Sequence, residues 1–377
     1  MLLRALISLL LLMLLAPVPA HAKSFTVPQK PPLETMLGQM IMVGFKGTGE
    51  EPLTEDIKLL QEDIRKGHIG GVIFFEYDWQ TKQRGRNVRS TAQVASLAFL
   101  LQKKARIPLF IAVDQEGGRV ERLRSEHGFT PIPSARDLGT NTPKETYTIA
   151  LAQGKALRAL GINLNFAPVV DLNVNPDSPA IGRVERSFSP DPVQVAAHGS
   201  AFARGLAEAK VASCYKHFPG HGSATDDSHH SLPDITASWK EEELLPYLPG
   251  TIPAKLPLMV MVGHMYIKTL DAGYPASLSR SVIDNLLRKT LKWDGVVITD
   301  DLEMNAISLH HTQEESILLA VNAGVDILLF GNNIQYAPDQ GRKVFAILHK
   351  LVKEGKISQQ RIYESWKKII ALKRQIS

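Results

Sequence analysis

The chain has 377 residues, 44% apolar and 21% charged, an ordinary globular balance that can fill a substantial core. Its 43 basic and 38 acidic residues nearly cancel, and no dense Lys/Arg run with interleaved aromatics is present, which argues against a nucleic-acid partner. A single cysteine, Cys214, excludes an intrachain disulfide; within "VASCYKHF" it reads as a small buried residue rather than a reactive thiol.

The first 22 residues carry one positive charge at Arg4, an apolar run, and Ala20-His21-Ala22 before Lys23. This pattern predicts a secretory signal peptide over 1–22, cleaved after Ala22, and a mature chain of residues 23–377 that is exported, periplasmic or secreted. Pro17 and Pro19 interrupt the run and disfavour a stable membrane span; an uncleaved anchor is the competing reading.

Beyond a Pro-rich lead-in, short apolar runs alternate with longer amphipathic stretches. The runs are "MIMVGF" (40–45), "GGVIFF" (70–75), "PLFIAVD" (108–114), "INLNFAPVVD" (162–171), "VASCYKHF" (211–218), "LMVMVGH" (258–264), "GVVITDD" (295–301) and "DILLF" (326–330). Runs apolar on both faces suit parallel strands covered by helices. The stretches 90–106, 191–210 and 280–291 supply such helices, and two basic-faced helices follow the last strand, the second capped by Ser358. Eight strands alternating with helices predict an α/β fold, a single-domain (β/α)8 TIM-type barrel, with an open doubly wound sheet as the alternative.

In a barrel the working face lies at the C-terminal ends of the strands. Here those ends carry Asp114, Asp171, Lys216-His217, His264 and Asp300-Asp301. Strand five opens into "KHFPGHGSATDDSHHSLP" (216–233), rich in histidine, aspartate and glycine. Three chemistries compete. His217, His221, His229 and His230 with Asp226 and Asp227 contain enough ligands for a metal, but their spacing is not that of a helical HExxH site. Serine chemistry lacks a G-x-S-x-G elbow. Retaining glycoside hydrolysis needs a carboxylate nucleophile and a proton donor. Asp300 at the tip of a buried strand suits the first role, and His229 with Asp227 suits the second.

"KHFPGHG", "DSH" and "ITDDLEM", with "GQMIMVGF", "GGVIFF", "AVDQEGGRVERL", "NFAPVVDLN", "ERSFSPDP" and "GHMYIKTLD…PASLS", closely resemble glycoside hydrolase family 3 over almost the whole mature chain. The "DSH" element resembles its single-domain β-N-acetylglucosaminidase (β-N-acetylhexosaminidase) branch. The resemblance implies a retaining exo-β-N-acetylglucosaminidase acting on peptidoglycan fragments or chitooligosaccharides. It implies Asp300 as nucleophile, His229 as general acid/base and Asp227 as its partner. It further implies Asp114, Arg122, Arg186, Lys216 and His217 as sugar-binding residues, with no metal and no organic cofactor. Asp301 and His230 are not expected to substitute for their neighbours, and Arg119 is expected to be a structural ion-pair partner, with a ligand contact as the alternative.

Gly220 and Gly222 are expected to hinge a mobile segment, 220–232, that carries His229. Ser223 departs from the Asp more usual at that position in the branch, which bears on the segment's geometry. The expected partner is a carbohydrate, with no stable membrane insertion after signal cleavage and a monomer as the default state. A β-glucosidase or β-xylosidase of the same family, or a non-catalytic sugar-binding protein of the envelope, are the alternatives.

Overall fold

A computed structural model describes residues 31–228, 231–253 and 255–377. The predicted signal peptide, His229 and His230 therefore lie outside the described residues. All eight predicted apolar runs form strands: β1 Ile41–Gly44, β2 Gly71–Phe74, β3 Phe110–Val113, β4 Leu164–Asn165, β5 Ser213–Phe218, β6 Leu258–Val262, β7 Val296–Thr299 and β8 Leu328–Phe330. They pair in parallel as one arc, β8-β1-β2-β3-β4, and a second, β5-β6-β7. Parallel bridges Leu164↔Ala212 and Ile298↔Ile327 join the arcs at both seams and close the ring. Strand residues are buried throughout, as a barrel with side chains inside and helices outside requires.

Six of the eight covering helices, all but the first and the seventh, start at side-chain caps encoded in the sequence. Helix α1 (Leu33–Gln39) precedes β1, and α2 (Glu55–Lys66) is capped by Thr54 and stopped by Gly67 at φ 76°. Ser90 caps α3 (Thr91–Gln102), and Thr142 forms a capping box with Glu145 on α4 (Pro143–Ala159). Asp191 caps α5 (Pro192–Glu208), while Thr312 and Glu315 form a capping box on α6 (Gln313–Ala323). Helices α7 (Gln340–Lys353) and α8 (Gln359–Gln375) follow β8, with Ser358 accepting from the Arg361 N–H as expected.

Two segments differ from the simple pattern. The stretch predicted as an ordinary helix over 280–291 winds as a π-helix over Ser281–Thr290, and the Leu291 N–H reaches back to the Leu286 carbonyl at 2.9 Å. This wider winding still keeps Val282, Ile283 and Leu287 together in the core. The fourth strand is regular only over two residues, because Pro168 has no N–H to donate to the ladder. Pairing resumes at Val169↔Lys216, which carries the chain on to Asp171 at the rim.

At the opposite, N-terminal end, Lys373 of α8 is buried, with its Nζ donating to Gln39 Oε1 (2.6 Å) and the Gly70 carbonyl (2.8 Å). No described carboxylate pairs with it, and burial pushes its amine well below the ordinary lysine value. The unfolded chain then binds more protons than the native one, so this residue makes stability rise with pH toward the ordinary lysine pKa. Lys373→Met is expected to melt at higher temperature than the wild type, with the gap widest at acidic pH; a constant gap in a pH series of melts would refute the assignment.

Candidate active site

The C-terminal rim of the barrel gathers six charged side chains. Strand β3 runs into Asp114 and then into a short hairpin in which Gln115 pairs with Glu121 and Gly117 with Val120. Asp114 and Glu116, two residues apart, meet the same cation: Lys216 Nζ lies 2.8 Å from Asp114 Oδ1 and 2.7 Å from Glu116 Oε1. Arg186 grips Glu116 through two parallel bonds of 2.7 and 2.8 Å, the bidentate geometry that guanidinium favours. Arg122 reaches Asp114 at 3.4 Å.

His217 completes the group. Its Nδ1 is 2.7 Å from Asp171 Oδ2, and its Nε2 faces Arg186 Nη2 at 3.4 Å. Because the guanidinium can only donate, this network assigns the proton to Nδ1 and leaves Nε2 as acceptor. Consecutive strand residues ordinarily point to opposite faces, yet Lys216 and His217 share one network. The register between β5 and β6 shifts here, from Tyr215↔Val260 to Phe218↔Val262, and that bulge turns both side chains to the same site.

Three carboxylates (Asp114, Glu116, Asp171) thus face three permanent cations (Arg122, Arg186, Lys216) in a setting where unpaired charge is costly. Burial alone would raise the carboxyl of Glu116, but Arg186 and Lys216 outweigh it and hold it well below the ordinary range. Asp114 is lowered in the same way, burial being overcome by Lys216 and then Arg122. Burial lowers Lys216, whereas Asp114 and Glu116 reverse this and raise it. All are charged at neutral pH. The side chains of Arg122, Asp114 and Arg186 keep 31%, 15% and 13% exposure, so fixed donors and acceptors alternate at the mouth of the barrel.

Asp300 follows β7 at the same end. Its N–H donates to the Val262 carbonyl at 2.9 Å, and Val262 is in register with Phe218, the neighbour of His217. Burial raises the Cys214 thiol of β5; Lys216 opposes the rise, and Asp114 and Asp300 add to it. The two adjacent aspartates have different surroundings. Asp301 Oδ1 accepts from the N–H groups of Glu303 (3.0 Å) and Gly331 (2.8 Å), and a Cβ at Gly331 would come within 2.2 Å of Asp301 Oδ2. His264 Nε2 meets the Asp301 carbonyl at 2.9 Å. Asp301 is thereby built into the turn, and Asp300 Oδ1 accepts from the Asp301 N–H at 2.8 Å.

The stem of the segment after β5 is closely packed. Gly222 is needed for close approach, since a Cβ there would lie 1.6 Å from the Leu172 carbonyl oxygen. Residues 216–224 are buried without interruption, and exposure begins at Thr225. His221, without a role in the sequence reading, ties the two parts together: its N–H donates to Asp171 (2.8 Å) and its Nε2 meets Ser228 Oγ at 3.3 Å, next to position 229. Burial and the neighbouring His217 push His221 down to about 4, which keeps its ring uncharged. Asp227 is half-buried, and its carbonyl accepts from Ser231.

The structure brings together Asp114, Arg122, Arg186, Lys216 and His217, sets Asp300 at the same end, and adds Glu116 and Asp171. Glu116 was legible in principle, because positions 114 and 116 of an extended segment share a face. Arg119, expected in a structural ion pair, is instead exposed on the hairpin turn and pairs with no described carboxylate. Among the described residues, Glu76, Glu126 and His127 bring three potential metal-ligating atoms within 4.8 Å of one another, but Arg84 already pairs with Glu76 at 2.7 Å. A cavity of about 1030 Å³ at the other end of the barrel, between Pro249, Trp293 and α8, contains none of the site residues.

The sequence profile described as "Glycosyl hydrolase family 3 N terminal domain" matches residues 32–372. The chain belongs to glycoside hydrolase family 3. Within the family it is 35% identical to beta-hexosaminidase A of Pseudoalteromonas piscicida over 94% of this chain and 62% of that protein. It is 36% identical to beta-hexosaminidase LpqI of Mycobacterium tuberculosis over 78% of this chain and 72% of that protein. A family 3 beta-N-acetylglucosaminidase from Paenibacillus superposes with a TM-score of 0.82 at 37% identity, covering 92% of this chain and 63% of that one. The beta-N-acetylhexosaminidase of Beutenbergia cavernae gives 0.78 at 28% identity, covering 92% and 99%. The chain thus spans less than two thirds of the Pseudoalteromonas and Paenibacillus family members. Among the described residues, no helix is long and apolar enough to cross a membrane.

Proposed function

We propose that this protein is a retaining exo-β-N-acetylglucosaminidase that removes terminal β-linked N-acetylglucosamine from peptidoglycan fragments or chitooligosaccharides. The observation that carries the reading is the network Asp114–Lys216–Glu116–Arg186–His217, open at the barrel mouth and sharing that end with Asp300. The family relatives named for this activity support it.

In this reading Asp300 attacks the anomeric carbon and forms a covalent glycosyl-enzyme, while His229, oriented by Asp227, protonates the departing oxygen. The deprotonated His229 then takes a proton from water as it attacks the same carbon and displaces Asp300. Asp114, Arg122, Arg186, Lys216 and His217 bind hydroxyls and the N-acetyl group. Glu116 and Asp171 touch those residues and fix their geometry. No step calls on a metal or an organic cofactor. The apolar leader with Ala20-His21-Ala22 supports export of the mature chain.

The deciding assay compares a chromogenic N-acetyl-β-glucosaminide with the matched glucoside and xyloside on the mature protein. Preference for the glucoside or xyloside would change the sugar, and tight sugar binding without turnover would make this a binding protein. His229→Ala is expected to lose about 10²-fold or more in kcat on a disaccharide. The loss on a nitrophenyl glycoside should be far smaller, because that leaving group needs little protonation. Equal losses on both substrates would remove His229 from the acid role.

A further inference from the structure

Beneath the buried stem of the acid/base segment lies a carboxyl group that the reaction does not use. Glu243 sits on the 3₁₀ turn Glu241–Tyr247 and is 1% exposed, whereas its neighbours Glu241 and Glu242 face solvent. It packs directly on the stem: a Cβ on Gly220, whose φ is +128°, would fall 2.6 Å from Glu243 Oε2 and 2.7 Å from Glu243 Cβ. The same region holds the stem a second time, through the bond from Trp239 Nε1 to the Pro219 carbonyl at 3.1 Å.

Its surroundings set it apart. The other buried carboxylates each have a cationic or imidazole partner within 4 Å: Asp63, Glu76, Asp78, Glu116, Asp171 and Asp326. Glu243 has none among the described residues. The groups acting on it are Asp171 from the β4 loop, Ser223 and the Gly222 N–H from the stem, the Lys240 N–H, and Tyr247 from its own turn. Tyr215 and Cys214 of β5 lie beyond Tyr247, and Arg204 of α5 acts on Tyr215. A carboxylate here would be desolvated and would face the Asp171 charge that holds His217 and His221; a carboxylic acid meets neither penalty.

We propose that Glu243 is a positioning residue for the acid/base segment: as a neutral carboxylic acid it wedges the 220–224 stem in place, and its ionisation loosens that stem. Burial, and then the Asp171 charge, push its carboxyl up to about 7. The native state therefore holds a proton that the open state releases, so the closed stem loses stability as pH rises from the ordinary glutamate range through that value. The control acts near neutrality, where a histidine acid/base also works. The catalytic consequence rests on the proposed glycosidase reading; the structural consequence does not.

Hydrogen exchange over residues 217–228, corrected for the intrinsic rate, separates the two. In the wild type, local opening is expected to increase about tenfold between pH 6 and pH 8. In Glu243→Gln, isosteric and unable to ionise, it should stay flat with pH, below the wild type's pH 6 level and at the level the wild type reaches only under the ordinary glutamate range. The variant should keep the wild-type kcat at pH 6 and hold its activity to higher pH. A flat wild-type exchange profile, or the same rise in Glu243→Gln, overturns the proposal. So does a variant that melts early or is inactive at pH 6, since the neutral acid and the amide should be interchangeable there. If neither protein cleaves a glycoside, the functional reading fails while the exchange comparison still decides the role of Glu243.

Discussion

Asp300→Ala is expected to lower turnover of an N-acetyl-β-glucosaminide by about 10³-fold or more, with little change in melting temperature. The asymmetry between the two aspartates at the end of β7 predicts this outcome. Asp301 accepts backbone N–H groups from Glu303 and Gly331 and holds the turn, whereas Asp300 follows β7 at the rim that also carries Asp114 and Lys216. Added azide should restore turnover in Asp300→Ala and yield an α-configured glycosyl azide, because the anion attacks from the face the carboxylate has vacated. Asp301→Asn, in contrast, should cost stability first and activity only through the displaced turn. Full activity in Asp300→Ala, or rescue that gives the β-azide, would remove Asp300 from the nucleophile role.

Glu116→Ala should be the most damaging change to the binding network even though Glu116 is itself buried. It would leave Arg186 and Lys216 facing each other with one carboxylate, Asp114, between them. Breaking a buried ion pair from one side costs about 3–5 kcal/mol, because the abandoned charge stays desolvated. Sugar affinity should fall as well, since Arg186 loses both bonds that orient it. The pH dependence follows from the lowered carboxyl. Its stabilisation is complete above the ordinary glutamate value and disappears as pH falls through the depressed native one. The wild type should therefore lose stability on acidification more steeply than Glu116→Ala. Thermal melts across an acid series, with a sugar titration at neutral pH, measure both effects; parallel curves would mean that the network adds nothing at Glu116.

The eight strands and their order were legible because each is an apolar run of strand length bounded by polar turns, and parallel strands buried on both faces leave that mark. Five of the covering helices were visible as amphipathic stretches, and the Ser358 cap appeared where its residue type foretold it. The polar residues that end these strands marked one face, and the family motifs supplied an expected role for each. Sequence alone thus specified the element order, the rim and the candidate residues.

Tertiary structure decided which groups touch. Glu116 gained its importance only when Arg186 and Lys216, 70 and 100 positions away along the chain, converged on it, since an ion network depends on distance in space. The bulge that turns both Lys216 and His217 inward breaks the two-residue alternation a sequence reader must assume. The two glycines expected to act as hinges lie close against other groups, the Leu172 carbonyl at Gly222 and the Glu243 side chain at Gly220. A glycine permits both freedom and close approach, and only the neighbours brought by folding select between them.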